Sequence, residues 1–110
     1  MATTKDFSRL ANIEGVASYI LVRNDGYVVS DNYDDAVALS SAIITTGKYC
    51  DSLAEDLADR RYMFCSIERS SGDNVLVFSL GRYYLGIIKH PISDAQTLSN
   101  AIIGFLRTLS

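Results

Sequence analysis

Val16-Ala17-Ser18-Tyr19-Ile20-Leu21-Val22, then Asn24-Asp25-Gly26, then Tyr27-Val28-Val29: this stretch decides how the rest of the chain is read. A β-branched and aromatic run meets a second such run across a turn whose Asp-Gly tolerates positive φ, the pattern of a β-hairpin from Val16 to Asp31. On its N-terminal side a short helix is expected from about Thr4 to Asn12, with Phe7, Leu10 and Ala11 on one side and Gly15 bending the chain into the first strand. On its C-terminal side one long helical stretch runs from about Tyr33 to Leu57. It opens with Asp34-Asp35, favourable at a positive helix terminus, and ends in Asp59-Arg60-Arg61, cations suited to the negative one.

The apolar arc of this helix holds Leu39, Ala42, Ile43, Cys50, Leu53, Ala54 and Leu57, the spacing of a face packed on a sheet. Three strands follow, Tyr62 to Arg69, Val75 to Leu80 and Tyr83 to Lys89, joined by Ser70-Ser71-Gly72-Asp73-Asn74 and by Gly81-Arg82, and they predict an antiparallel meander. Val75-Leu76-Val77-Phe78 and Tyr84-Leu85-Gly86-Ile87-Ile88 are apolar at nearly every position, so both faces of the sheet need a cover. A closing helix supplies the second cover. Ser93 and Gln96 read as its capping box, and Leu98, Ile102, Phe105 and Leu109 recur at helical spacing. The fold class is therefore α+β, in three layers with the sheet in the middle and the element order α-ββ-α-βββ-α.

At 110 residues, 48% of them hydrophobic and with one Pro, the chain is expected to be a single domain, residues 1–110, around one core. A formal charge of −3 argues against a phosphate-backbone partner, because nucleic-acid binders carry a basic stripe and Arg60-Arg61 is the only adjacent basic pair. The opening Met1-Ala2-Thr3-Thr4-Lys5-Asp6 has no apolar run behind a basic flank, and no stretch approaches the ~18 apolar residues that span a bilayer. The expectation is a cytoplasmic protein with no direct membrane insertion. Cys50 and Cys65, on a helix and a strand, read as reduced and buried rather than as a disulfide staple.

Catalytic chemistry finds little support. A Cys-His nucleophile would have to join Cys50 or Cys65 to His90, the single histidine, which stands beside Pro91 at a strand end. One His and two separated Cys fall short of a zinc set, and Asp31, Asp34 and Asp35 lack the alternating ligands and closing Glu of a calcium loop. No GxxxxGKS/T or GxGxxG occurs, so no phosphate-cradling loop is present. Neither a cofactor nor a metal is expected. The seven tyrosines allow two readings: recognition residues with one wet end, or strand aromatics that fill the seams between sheet and helix.

The sharper clue lies on the long helix. Val37 and Ile44 recur seven apart on the flank away from the sheet-facing arc, with Ser40, Ser41, Gly47, Lys48 and Asp51 nearby. A helix packed on one layer has no use for a second apolar strip, although isolated surface apolars are common. Gly47 at mid-helix costs roughly 1 kcal/mol relative to Ala and permits the close approach of another backbone. These positions are read as an interface.

The whole order resembles the Roadblock family, the dynein light-chain type of small regulatory domain. The carrying features are Leu10-Ala11-Asn12-Ile13-Glu14-Gly15-Val16 leading into a strand, Asn24-Asp25-Gly26-Tyr27-Val28-Val29 at the hairpin, the long central helix, and Tyr84-Leu85-Gly86-Ile87-Ile88 before the final helix. The resemblance implies a five-stranded antiparallel sheet, the Roadblock/profilin-like arrangement, with the long helix on one face and the terminal helices on the other. It also implies a homodimer, made by pairing third strands edge to edge and central helices side by side. On this reading the interface comprises Val37, Ser40, Ser41, Ile44, Gly47 and Lys48 of the helix and Tyr62, Met63, Phe64 and Cys65 of the strand. The implied function is non-enzymatic: binding or regulating a small Ras-like GTPase, or scaffolding a signalling or motor complex. A small-ligand sensor on a similar sheet is the alternative.

Overall fold

β1 (Val16–Arg23) and β2 (Val28–Asp31) form the expected hairpin, and its turn explains why the sequence doubles back there. In this computed structural model, which describes residues 4–57, 64–68 and 74–108, the Gly26 N–H donates to the Arg23 carbonyl at 2.9 Å and the Arg23 N–H to the Tyr27 carbonyl at 2.8 Å. Gly26 sits at φ +104°, a conformation that a Cβ disfavours. The Asp25 carboxylate accepts from the Tyr27 N–H at 3.2 Å and from the Arg23 guanidinium at 2.7 and 2.9 Å, which closes the loop Asn24–Gly26 from the side.

β3 (Phe64–Ile67), β4 (Val75–Ser79) and β5 (Tyr83–Lys89) complete a five-stranded antiparallel sheet in the order β2-β1-β5-β4-β3. β2 and β3 are therefore its edges. Tyr62, Met63 and Arg69, expected on the third strand, lie outside the described residues, as do Arg60-Arg61, most of the 70–74 loop and Leu109.

Strand alternation sorts the apolar side chains onto two faces. Ile20, Val22, Val75, Val77, Tyr84 and Ile88 form one cluster with Ala36 and Ile43 of α2 (Ala36–Leu57). Tyr19, Leu21, Leu76, Phe78, Leu85 and Ile87 form the other, with Leu10 from a 3-10 turn (Ser8–Asn12) and Leu98, Ile102 and Leu106 from α3 (Ala95–Thr108). A one-turn helix, α1 (Thr4–Phe7), precedes the 3-10 turn, and Phe7 packs partly against this second cluster. The unbroken apolar runs of β4 and β5 are thus used on both faces. A register shift between Val16 and Ser18 changes the phase of β1, so Val16 and Tyr19 reach one cluster although an odd number of residues apart.

Both long helices start differently from the sequence expectation. The Asp31 carboxylate accepts from the Tyr33 N–H at 3.1 Å, a local turn that delays α2 until Ala36 and leaves Asp35 to accept the first helical bond, from the Leu39 N–H at 3.2 Å. At α3 the cap is Asp94, not Ser93. Its carboxylate accepts from the Thr97 N–H and the Thr97 hydroxyl, both at 2.8 Å. Ser93 instead gives its carbonyl to Lys89 and packs its side chain beneath Gly15, which sits at φ +97°. The last helix also buries Leu106, while Phe105 is only half-buried, under the Arg9 guanidinium at 5.2 Å.

The Thr97 N–H, followed by the Thr97 hydroxyl, holds the Asp94 carboxyl below the ordinary carboxylate range. A depressed folded-state pKa contributes stability above the unfolded value, about pH 4, and loses it as pH falls through the folded value. The gap in melting temperature between the wild type and Asp94→Ala is therefore expected to be widest above about pH 5 and to shrink below about pH 4. Thermal unfolding followed by circular dichroism across that range checks this, and a gap independent of pH overturns it.

Candidate interaction face on the long helix

The face that α2 turns to the sheet is built from small residues around one large one, Ile43. Ala36, Ser40, Ile43, Gly47 and Cys50, stepping by four, three, four and three, are all buried. The Ser40 hydroxyl is satisfied by donating to the Val37 carbonyl at 2.7 Å. Gly47 lies against the ring of Tyr84: a Cβ there would overlap Cδ1 and stand 2.6 Å from Cε1 and 2.7 Å from Cγ. Ile43 comes as close to Gly86 on the neighbouring turn, where a Cβ on that glycine would stand 2.5 Å from the isoleucine Cδ1. Two glycines, one on each element, thus bring helix and sheet together.

Tyr84 is pinned from the far side as well. Its hydroxyl donates to the Asp51 carboxylate at 2.8 Å, and burial, then that carboxylate, pushes its pKa up to about 12. Ser40 and Gly47 were expected on the outer flank, but both lie under the chain's own sheet-facing side. The group whose close approach Gly47 permits is the Tyr84 ring of the same chain. Helix phase explains the difference: the inner stripe carries Ser and Gly, which add no apolar signal, so the periodicity of the larger residues misplaces it.

The outer flank that remains is Val37, Ser41, Ile44 and Lys48, in steps of four, three and four. Val37 is 79% exposed, and Ser41 and Lys48 are exposed. Ile44 is half-buried and leans on the cluster beneath α2, so it serves the core as well as the flank. Tyr49, 62% exposed, adds an aromatic to the exposed part of the helix. α2 touches β3, an edge strand of the sheet, where Phe64 and Cys65 lie; Tyr62 and Met63 are outside the described residues.

The tyrosines divide between their two readings. Tyr19 and Tyr84 are buried with hydroxyls satisfied inside the chain, Tyr19 by Ser30 at 2.9 Å, whereas Tyr27 and Tyr49 are exposed. Arg23 stacks on Tyr27 at 5.1 Å, and the Asn24 N–H donates to the Arg82 carbonyl at 2.8 Å, so the two hairpin turns meet at one end of the sheet.

A Cys65–His90 nucleophile pair fails on distance. Cys65 is level with Val77 and, through it, with Gly86, whereas His90 follows the end of β5. Four residues along the strand and two strands across separate them by roughly 15 Å. Among the described residues no group of three or more His, Cys, Asp and Glu is placed to hold a metal, and no helix is long and apolar enough to cross a membrane.

One feature had no sequence signal. Lys89 is buried at the end of β5, and its ammonium donates to the carbonyls of His90 at 2.9 Å, Ser93 at 2.8 Å and Pro91 at 3.5 Å. The lysine thereby ties down the loop that holds Ile92, 98% exposed, outward.

No family model matches the sequence, and no curated protein matches it. Solved structures do. A Roadblock/LC7 domain from Streptomyces avermitilis superposes with a TM-score of 0.74 at 17% identity, covering 98% of this chain and 94% of that one. Myxococcus xanthus MglB gives 0.65 at 16%, covering 100% and 96%. Profilin II of Acanthamoeba castellanii gives 0.63 at 15%, covering 97% and 94%. LokiProfilin1, also similar at a TM-score of 0.61 and 12% identity, was solved in complex with rabbit actin. At these identities the likeness is one of fold. The chain has the Roadblock/LC7 fold, in agreement with the resemblance read from its element order, and profilins share that architecture.

Proposed function

We propose that this chain is a non-enzymatic interaction module of Roadblock type that pairs with a second copy and, as a pair, binds a small Ras-like GTPase, regulating it or holding it in a larger complex. The finer architecture belongs to the same reading: a single-domain α/β/α sandwich with α2 alone on one face. The observation that carries the proposal is Val37, 79% exposed on the outer flank of a helix that touches an edge strand of the sheet. An exposed apolar residue on a helix that touches an edge strand suits a second chain that adds a strand and a helix together. The alternative, a pocket lined by tyrosines, loses Tyr19 and Tyr84 to hydrogen bonds within the chain.

Regulation needs no catalytic residue. A partner that binds one nucleotide state of a GTPase more tightly than the other shifts its population by that difference in affinity. The isolated chain is expected neither to bind nor to hydrolyse GTP. Mixed with Ras-like GTPases from its own source, loaded with GTP or GDP, it should bind one loaded form at least about tenfold more tightly, a difference of about 1.4 kcal/mol. Equal affinity for both forms reduces the role to scaffolding. Binding of actin with no GTPase binding would transfer the reading to the profilin side of the fold.

A further inference from the structure

Cys50 and Cys65 are brought together by two independent features of the fold. Cys50 belongs to the buried stripe of α2 that faces the sheet. Cys65 on β3 is directly opposite Val77, whose side chain belongs to the cluster under α2, and directly opposed residues share a face. Ile67, two residues further along β3, packs on the same cluster. The helix-facing side of the edge strand therefore presents Cys65 toward α2, which touches that strand, and Cys65 is near enough to Cys50 to add to the rise in its pKa. Both cysteines are free.

We propose that Cys50 and Cys65 form an oxidisable dithiol site, closed by hydrogen peroxide into an intramolecular disulfide that fastens α2 to the edge strand β3. The two positions differ in access. Cys65 is partly exposed on the edge strand, whereas Cys50 is buried, and that burial, followed by the Cys65 neighbour, pushes its pKa up to about 12. Cys65 is therefore the sulfur that meets the oxidant. Its thiolate attacks one peroxide oxygen, the O–O bond breaks, and the departing hydroxide takes up the thiol proton as water, leaving a sulfenic acid. Cys50 sulfur then attacks the Cys65 sulfur, the S–O bond breaks, and hydroxide leaves with the Cys50 proton as a second water. Two thiols have lost two electrons and two protons, and one peroxide has become two waters. The scarcity of Cys50 thiolate makes the second step slow and faster at higher pH.

The closed loop spans about 15 residues, and constraining a loop of that size raises the melting temperature of a chain this small by roughly 10 °C where the geometry is unstrained. The disulfide joins two elements of one chain, α2 and β3, that touch.

The test treats the full chain with hydrogen peroxide, quenches free thiols with an alkylating agent, and maps the peptides by mass spectrometry without reduction. The expected product is monomeric on a non-reducing gel, lighter by about 2 mass units, with a single Cys50–Cys65 cross-linked peptide that dithiothreitol reverses. Cys50→Ala should halt at a sulfenic or overoxidised Cys65, and Cys65→Ser should leave Cys50 unreacted; the second variant keeps the test intact should the core substitution unfold the chain. A covalent dimer through Cys65, a sulfinic Cys65 beside an intact Cys50 in the wild type, or two unreacted thiols each overturn the proposal.

Discussion

Gly47→Ala is expected to lower the melting temperature by roughly 10 °C, reversing the gain that alanine brings at most helix positions. Intrinsic propensity alone favours alanine by roughly 1 kcal/mol. Against that, a methyl group at Gly47 overlaps Cδ1 of Tyr84 and crowds Cε1 and Cγ at 2.6 and 2.7 Å. The ring has nowhere to turn. It is 3% exposed, its hydroxyl is held by Asp51, and its strand neighbours, Val22 and Ser79, stand on either side. Relief requires α2 to lift from the sheet or the tyrosine to give up its hydrogen bond, and overpacking of this kind costs about 1–3 kcal/mol before the lost hydrogen bond is added. The net is a loss of about 2 kcal/mol.

Gly104→Ala on α3 is the matched control. Among the described residues nothing outside the helix's own backbone and the adjoining residues lies within 4 Å of a Cβ placed there, so the propensity gain stands alone and the melting temperature should rise by a few degrees. Tyr84→Leu should cost stability in the wild type yet recover part of the loss in the Gly47→Ala background, a coupling that distant sites do not show. If Gly47→Ala stabilises as Gly104→Ala does, the close approach of α2 to Tyr84 is wrong.

The same residues mark how far the sequence could be read. The hairpin, the order of strands and helices, and the need to cover both faces were legible because β1, β4 and β5 carry large apolar residues at consecutive positions. The inner stripe of α2 was not. Its members include Ser40 and Gly47, small because the helix lies close to the sheet, and a hydrophobic periodicity weighs such residues as blanks. A glycine on the helix and a glycine on the strand, each facing a large side chain of the other element, are the signal that was present, in Gly47 and Gly86, but it acquires meaning only once Tyr84 and Ile43 are known to fill the spaces. The α3 cap went to Ser93 because the capping-box pattern fits it, while Asp94, one residue on, has the stronger acceptor. Lys89 could not be foreseen, because its burial rests on three carbonyls that a loop brings around it. Of the candidate interface residues Val37 is exposed, whereas Ile44 is shared with the core.

Val37 therefore carries the decisive substitution. Val37→Asp is expected to leave the folded chain as stable as the wild type, or slightly more so. The side chain is 79% exposed, and the position falls in the first turn of α2, where a carboxylate is favoured by the helix dipole. Ile43→Asp, two turns along on the buried side, should instead unfold the chain, because an uncompensated carboxylate in a fully buried cluster costs as much as such domains have to lose. In a symmetric pair each interface residue appears twice, so Val37→Asp places two charges on an apolar contact and is expected to weaken self-association by roughly 30-fold or more, about 2 kcal/mol. Equilibrium sedimentation at tens of micromolar, where even a weak dimer persists, should find the wild type paired and the variant single. GTPase binding should fall with the dimer if the partner contacts both copies. A variant that sediments as the wild type does and keeps its partner removes this flank of α2 from the interface, and with it the observation on which the Roadblock-type function rests.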